Sequence, residues 1–345
     1  VEASLKADAA APVPAPILHG GGVTEAARAY GGTVADWLDL STGINPNPVA
    51  LPAIPMDAWH RLPDRHLADA ARLAASAYYG AVNCLPLPAP GTQSVIQHLP
   101  KLAPQGRRVA VLSPTYGEYV RVLSAAGLAV DRIETLDAVT ADHGLVVVVN
   151  PNNPTGRVWQ KAELAALAGR LAANGARLHV DEAFADGGAA ESMAPEAGRA
   201  QGLTVFRSFG KFFGLAGLRL GFVLGSEADL SRFADWLGPW PVSGPALVIA
   251  ERLMRSDLSG VRARIAERHE ALLRVLERAG LAVVGGSRLF VLVDHPQADR
   301  LHDHLCRNHI LVRKFDYNGR WLRFGLAPDA AADTRLLKAL EEFAA

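Results

Sequence analysis

Ser208-Phe209-Gly210-Lys211, continued by Gly214, Gly217 and Arg219, puts a nucleophile and two anion-binding side chains in one short stretch. A lysine amine set among glycines just after an apolar run is accessible, and once deprotonated it attacks an aldehyde. The small residues let a planar ring approach the backbone. Ser208 and Arg219 flank the lysine at spacings that could reach a phosphate on the same ligand, and the guanidinium fork suits phosphate geometry. Asp181, in Val180-Asp181-Glu182-Ala183-Phe184, closes a β-rich run, the position where open α/β sheets bind ligands. A carboxylate there can keep a ring nitrogen protonated and make the ring an electron sink. Taken singly, these are a solvated lysine in a turn and an aspartate capping a helix; taken together, the chemical reading dominates.

Three further motifs have the same double character. Asn150-Pro151-Asn152-Asn153-Pro154-Thr155-Gly156 is made of turn-forming residues and directly follows the apolar run 145–149. Gly91-Thr92-Gln93-Ser94 opens an apolar-periodic helix, whose free N–H groups and positive dipole end suit a phosphate dianion. Ser113-Pro114-Thr115-Tyr116 follows another apolar run and offers an aromatic face.

The elements that must position these groups alternate short β-rich runs with longer amphipathic stretches, the pattern of βα units around a mainly parallel sheet. Strands are expected over 107–112, 145–149, 177–180, 203–206 and 218–223, with helices over 116–126 and 161–174. A long helical period runs over 243–279. Short strands follow at 281–284, 289–293, 310–313 and 321–324, with a last helix from Pro328 onward, so a second, smaller α+β lobe is expected. The predicted organisation is an N-terminal arm over 1–40, a large domain over 41–240 and a small C-terminal domain over 241–345.

Bulk properties narrow the function classes. Half of the 345 residues are apolar and a fifth charged, and 35 basic residues balance 35 acidic ones. Such a chain has no global field for gripping nucleic acid or an anionic membrane, so a small substrate held by local clusters is expected. The two cysteines, Cys84 and Cys306, form no CxxC pair, which fits a reducing cytoplasm. Residues 1–16 are rich in Ala and Pro without the basic start and apolar block of a secretory signal, and no apolar run reaches membrane-spanning length. His302, Cys306 and His309 are expected on one face of an amphipathic helix rather than at a metal, since nothing else has zinc spacing.

The Ser-x-x-Lys-x-x-Gly-x-x-Gly-x-Arg pattern resembles the cofactor-lysine signature of fold-type-I pyridoxal-5′-phosphate (PLP) enzymes, the class I/II aminotransferase family. The five motifs occur in that family's order. The resemblance implies an α/β, aspartate-aminotransferase-like PLP fold and PLP joined to Lys211. It implies Asp181 at the pyridine nitrogen, Asn153 at the phenolic oxygen and Tyr116 stacked on the ring. Gly91, Thr92, Gln93, Ser208 and Arg219 complete the implied cofactor set, and relatives work as homodimers.

Segments outside the shared motifs resemble the threonine-phosphate decarboxylase branch of cobalamin biosynthesis, kin to histidinol-phosphate aminotransferases. They are Leu18-His19-Gly20-Gly21, Leu38-Asp39-Leu40-Ser41 leading to Ile44-Asn45-Pro46, and Trp240-Pro241-Val242-Ser243. Phe184 stands where many aminotransferases carry a hydroxyl-bearing Tyr. That branch implies decarboxylation of L-threonine O-3-phosphate to (R)-1-amino-2-propanol O-2-phosphate. Arg323 would take the α-carboxylate, and Arg313, with His19 and Asn45, the substrate phosphate. Two departures are plain: Gly22 ends the His-Gly-Gly motif in place of Asn, and Leu62 removes a Tyr that in relatives reaches the neighbouring subunit's cofactor phosphate.

Decarboxylation and transamination use the same motifs and differ in which Cα bond stands perpendicular to the ring, so an aminotransferase is the neighbouring alternative. A PLP-binding transcriptional regulator is a more remote one. Its DNA-binding module would have to fit before Ile17, and the balanced charge offers DNA nothing.

Overall fold

The structure is a computed structural model and describes residues 17–344 except 18 and 189. The expectations for residues 1–16 and the Leu18 position of the first His-Gly-Gly segment therefore lie outside the described residues.

His143–Val149 (HGLVVVV) has no polar face and is buried throughout, as a strand covered on both sides must be. It is an interior strand of a seven-stranded sheet, between Arg177–Asp181 and Arg108–Leu112. The strand order across that sheet is Leu87–Ala89, Gly221–Leu224, Leu203–Ser208, Arg177–Asp181, His143–Val149, Arg108–Leu112, Val130–Ile133. From Leu203–Ser208 to Val130–Ile133 all pairings are parallel, whereas the two strands at the other edge pair antiparallel. The carboxyl ends of the parallel strands deliver Ser113, Asn150, Asp181 and Ser208 to one edge.

A second, four-stranded antiparallel sheet runs Arg313–Phe315, Asn318–Gly325, Phe290–Asp294, Ala282–Ser287. The helices Ser259–Arg278 and Ala298–Arg307 pack on it, and Ala330–Ala344 packs on both of those helices. The expected mainly parallel sheet and smaller α+β lobe are both present. Among the described residues, no helix is long and apolar enough to cross a membrane.

Several local expectations are corrected. The helical stretch 243–279 is two helices, Gly244–Met254 and Ser259–Arg278. Asp257 interrupts it, its carboxylate accepting from Ser259 N and Oγ at 2.9 Å each. The first of the two packs on Asp57–His60 and Arg65–Tyr79 of the parallel-sheet body, close enough that a Cβ on Gly244 would lie 2.3 Å from the Ala58 carbonyl oxygen. Arg65–Tyr79 escapes periodicity analysis because its inward stripe is Ala71, Ala74 and Ala75. Alanine gives little contrast with polar neighbours, yet it permits close helix approach. The expected strand 310–313 is divided: Ile310–Leu311 pairs in parallel with Leu38–Asp39, and Arg313–Phe315 joins the antiparallel sheet. The end of the N-terminal arm is thereby stitched to the second lobe. His309 lies beyond the helix Ala298–Arg307, in a left-handed conformation (φ 55°) with its ring 5.2 Å from Trp37. It therefore shares no helical face with His302 and Cys306, and no group of three metal-ligating side chains occurs among the described residues.

Candidate active site

The strand ends, the Gly91 turn and three residues of the antiparallel sheet, Arg313, Phe315 and Arg323, help enclose a cavity of about 1180 Å3. Lys211 enters it from the short helix Phe209–Phe212, which follows directly on Leu203–Ser208. Burial, and then the Arg323 guanidinium, lower its amine to about 8; removing a charge from water disfavours the ammonium, and a neighbouring cation adds to that. The Phe184 ring lies 5.5 Å from Nζ and packs edge-on against Phe290, centroids 5.1 Å apart. This corner of the cavity is therefore apolar.

Asp181 ends its strand 4% exposed and accepts two hydrogen bonds, from Tyr119 Oη at 2.7 Å and from Ala183 N at 2.9 Å. Burial raises its pKa, and those two donors oppose the rise. The neighbouring Glu182 is also buried but accepts from Arg207 and Met193 N, each at 2.6 Å. It thus anchors the strand end, while Asp181 is the one of the two that lines the cavity.

Asn153 Oδ1 accepts from Arg323 Nη1 at 2.5 Å, and Arg323 Nη2 donates to the Ser41 carbonyl at 2.7 Å. Arg323 sits on Asn318–Gly325, so this pair ties the second lobe to the Asn153 turn. Burial, and then Arg313, lower the Arg323 pKa to about 10. Ser41 in turn accepts from Gly21 N and donates to Asp39 Oδ1. A Cβ on Gly20 would stand 2.4 Å from the Ser41 carbonyl oxygen, which accounts for a glycine after His19.

At the other end, Gly91 (φ 78°) precedes the helix Thr92–Ile96, and Arg219 (φ 53°) folds over it. A Cβ on Gly91 would lie 2.7 Å from Arg219 Nη2. The sequence brings an amide turn, a guanidinium and Ser208 together only because Gly91 has no side chain. Gln93 departs from its expected phosphate role as far as its side chain is concerned. Its amide donates to Glu118 Oε2 at 2.8 Å and accepts from Tyr116 Oη at 3.0 Å, so it orients the Tyr116 ring.

His19 lines the cavity, 3.1 Å from Glu118 Oε1. Arg313 also lines it, its guanidinium 5.4 Å from the Phe315 ring, and makes no ion pair within 4.0 Å among the described residues. Asn45 is a correction. It is 4% exposed and does not line the cavity; its amide donates to the Phe212 carbonyl and accepts from Asn47 N. With its own N–H on the Lys211 carbonyl, it fixes the lysine turn from behind.

Sequence reading missed Glu118, Tyr119 and His179. Burial works against the Glu118 charge, but Arg121, then Gln93 and His19, hold its carboxyl below the ordinary range. A carboxylate and a hydroxyl at consecutive positions opening an apolar helix, with Tyr119 on the same face as Val122 and Leu123, was the available signal.

A nucleophilic amine, a carboxylate aimed into an apolar slot and an anion cradle define a site fit for PLP. Lys211 could hold its aldehyde carbon, Asp181 its ring nitrogen, Asn153 its phenolic oxygen, Tyr116 its ring face, and the Gly91–Thr92 turn with Ser208 and Arg219 its phosphate. The Gly91 cradle, which any Cβ would fill, is the specific point of fit.

The chain belongs to the aminotransferase class I and II family, whose model matches residues 35–340. It is 63% identical to a threonine-phosphate decarboxylase from Sinorhizobium sp, over 94% of this chain and 98% of the relative. It is 46% identical to a threonine-phosphate decarboxylase from Pseudomonas aeruginosa, over 94% and 97%. In fold it is similar to the histidinol-phosphate aminotransferase from Sinorhizobium meliloti, whose crystal structure contains pyridoxal-5′-phosphate (TM-score 0.76, 23% identity, 95% of each chain).

Proposed function

We propose that this protein is a PLP-dependent threonine-phosphate decarboxylase, converting L-threonine O-3-phosphate to (R)-1-amino-2-propanol O-2-phosphate and CO2, a step of cobalamin biosynthesis. The observation that carries the substrate class is the pairing of two guanidiniums in the Lys211 cavity. Arg323 is bonded to Asn153 and is left to take an α-carboxylate, and Arg313 has no carboxylate partner within 4.0 Å among the described residues. Two fixed cations suit a substrate with two anionic ends. The two full-length relatives supply the same reading.

Bound PLP supplies the aldehyde that takes the substrate amine and the protonated ring that accepts the electron pair of the breaking Cα bond. The chain's own residues do the rest. Lys211, its amine lowered to about 8, holds the cofactor and delivers to Cα the proton that replaces the departing carboxylate. Asp181 keeps its charge against the ring nitrogen. Arg323 and Arg313 grip the substrate at both ends and so choose which Cα bond stands upright on the ring. Phe184 presents no hydroxyl to the phenolic oxygen and keeps water from that corner.

The purified, PLP-loaded protein is expected to release CO2 from L-threonine O-3-phosphate with stoichiometric amine, and far less from threonine. Arg313→Ala is expected to raise KM for the phosphorylated substrate about 10- to 100-fold, the worth of a charge-assisted hydrogen bond, with kcat little changed. Accumulation of a keto acid without CO2 would sink the decarboxylase reading, and an unchanged KM would remove Arg313 from the phosphate site.

A cytoplasmic homodimer is part of the proposal. Its two cysteines are free. Met56, Trp59, Leu62 and Trp240 are 71, 61, 66 and 58% exposed, and Pro63 and Trp240 line one shallow hollow. Large apolar side chains grouped on a surface mark an interaction site. Sedimentation equilibrium is expected to give twice the chain mass; a monomer at micromolar concentration would count against it.

A further inference from the structure

Behind Asp181, on the side away from the cavity, three buried polar side chains are joined end to end. Tyr119 and His179 are 0% exposed and Thr204 is 1% exposed. Tyr119 Oη lies 2.7 Å from Asp181 Oδ2 and 3.2 Å from His179 Nε2. His179 Nδ1 lies 3.1 Å from Thr204 Oγ1. The placement follows from the sheet: His179 is two residues before Asp181 on the same strand face, Thr204 is its register partner on the adjacent strand, and Tyr119 comes from the helix Glu118–Ala125.

With Asp181 ionised, the proton directions follow. An ionised carboxylate only accepts, so the single Tyr119 proton points to Asp181. The Tyr119 oxygen must then accept from Nε2–H of His179. A neutral imidazole has one N–H, so Nδ1 accepts from the Thr204 hydroxyl. Burial lowers His179 to about 3, so the ring stays neutral; its edge against Phe206, centroids 4.1 Å apart, fixes its plane.

We propose that Thr204, His179 and Tyr119 form a one-way hydrogen-bond chain that keeps Asp181 ionised and aimed at the cofactor's ring nitrogen. Tyr119 is the positioning residue in contact with Asp181, and His179 and Thr204 act through it. The inference rests on PLP occupying the site as proposed above. Asp181 needs such support because burial favours its neutral form, and donors to a carboxylate stabilise the charged form. The other groups that face it are the Ala183 N–H, Tyr116, Lys211 and Glu182, and the last, a like charge, works against ionisation. Donation from His179 to the Tyr119 oxygen polarises the hydroxyl and strengthens its own donation.

The test uses the full-length protein in its pyridoxamine-phosphate form, where the cofactor is held without a covalent link to Lys211. Its dissociation constant is measured by equilibrium dialysis from pH 6 to 9. Tyr119→Phe is expected to weaken binding about 10-fold or more, as for loss of a hydrogen bond to a charged group. Thr204→Val, nearly isosteric, is expected to weaken it roughly threefold. In the Tyr119→Phe background Thr204→Val should add nothing, because its effect travels through the missing hydroxyl. Removing a donor raises the Asp181 pKa, so in Tyr119→Phe the loss of affinity on acidification should begin at higher pH than in the parent protein.

Independent, multiplying effects of the two substitutions, or an unmoved pH profile, would overturn the chain. Should Tyr119→Phe not fold, an unchanged dissociation constant in Thr204→Val would overturn it as well. Asp181→Asn separates the two levels. If it leaves binding unchanged, the placement of PLP itself is wrong; if it weakens binding while Tyr119→Phe does not, only the chain fails.

Discussion

Lys211→Ala is expected to reduce turnover of threonine phosphate by at least ~10⁴-fold and to abolish the visible absorbance of covalently held PLP. Two contributions are lost together. Proton transfer by a placed side chain is worth up to about 10⁴-fold, and the covalent attachment that splits a difficult exchange into easier steps disappears with the same atom. The fold should survive, because the lysine turn is held by Asn45 and by neighbouring backbone rather than by the amine. The parent protein carries a matching pH dependence. The Lys211 amine, lowered to about 8 by burial and by Arg323, is a protonated non-nucleophile below that value and a free base above it. Covalent capture of PLP by cofactor-free protein should therefore accelerate as pH rises and level off above about 8. Stopped-flow absorbance checks both: a capture rate still climbing steeply above pH 8 would contradict the lowered amine, and turnover in Lys211→Ala close to that of the parent protein would remove the lysine from the reaction.

Asp181→Asn is expected to cost about 10²- to 10³-fold in kcat, in line with removal of one partner from a buried ion pair. The amide preserves shape and the contact with Ala183 N, so packing changes little. It cannot hold a ring nitrogen protonated, and the electron sink weakens accordingly. The sign with pH is also fixed. Burial raises Asp181, so activity of the parent protein should fall as pH drops through the raised value. The variant, having no carboxyl to titrate, should lose that acidic limb. A kcat unchanged by the amide, or an acidic limb retained in its profile, would separate Asp181 from the ring.

What the chain's order of residues determined by itself is local chemistry and its rough address. Lys211, Asp181, Asn153, Tyr116 and Arg219 each sit in a short motif whose glycines, prolines and apolar flanks dictate a turn at a strand end. Local rules act over a few residues, so those turns are readable without the fold. The four inner strands of the parallel run were legible for the same reason, since burial on both faces leaves an unbroken apolar run, whereas the half-exposed edge strand Val130–Ile133 was not.

Tertiary structure decided which of those groups share a wall and what stands behind them. Tyr119 meets Asp181 across a sequence separation of 62 and Glu118 meets His19 across 99, and no pattern in either neighbourhood announces its partner. Asn45 was expected at the substrate because its Ile-Asn-Pro segment resembles the threonine-phosphate decarboxylase branch, yet its amide is consumed by the Phe212 carbonyl of the lysine turn and by Asn47 N. Gln93 turned its side chain to Tyr116 and Glu118 for an equally nonlocal reason. The Ala-rich helix Arg65–Tyr79 was invisible because alanine carries little hydrophobic contrast, although its smallness is what lets Gly244–Met254 lie against it. Buried polar groups must find partners, and which partner is within reach is set by packing, not by neighbours along the chain.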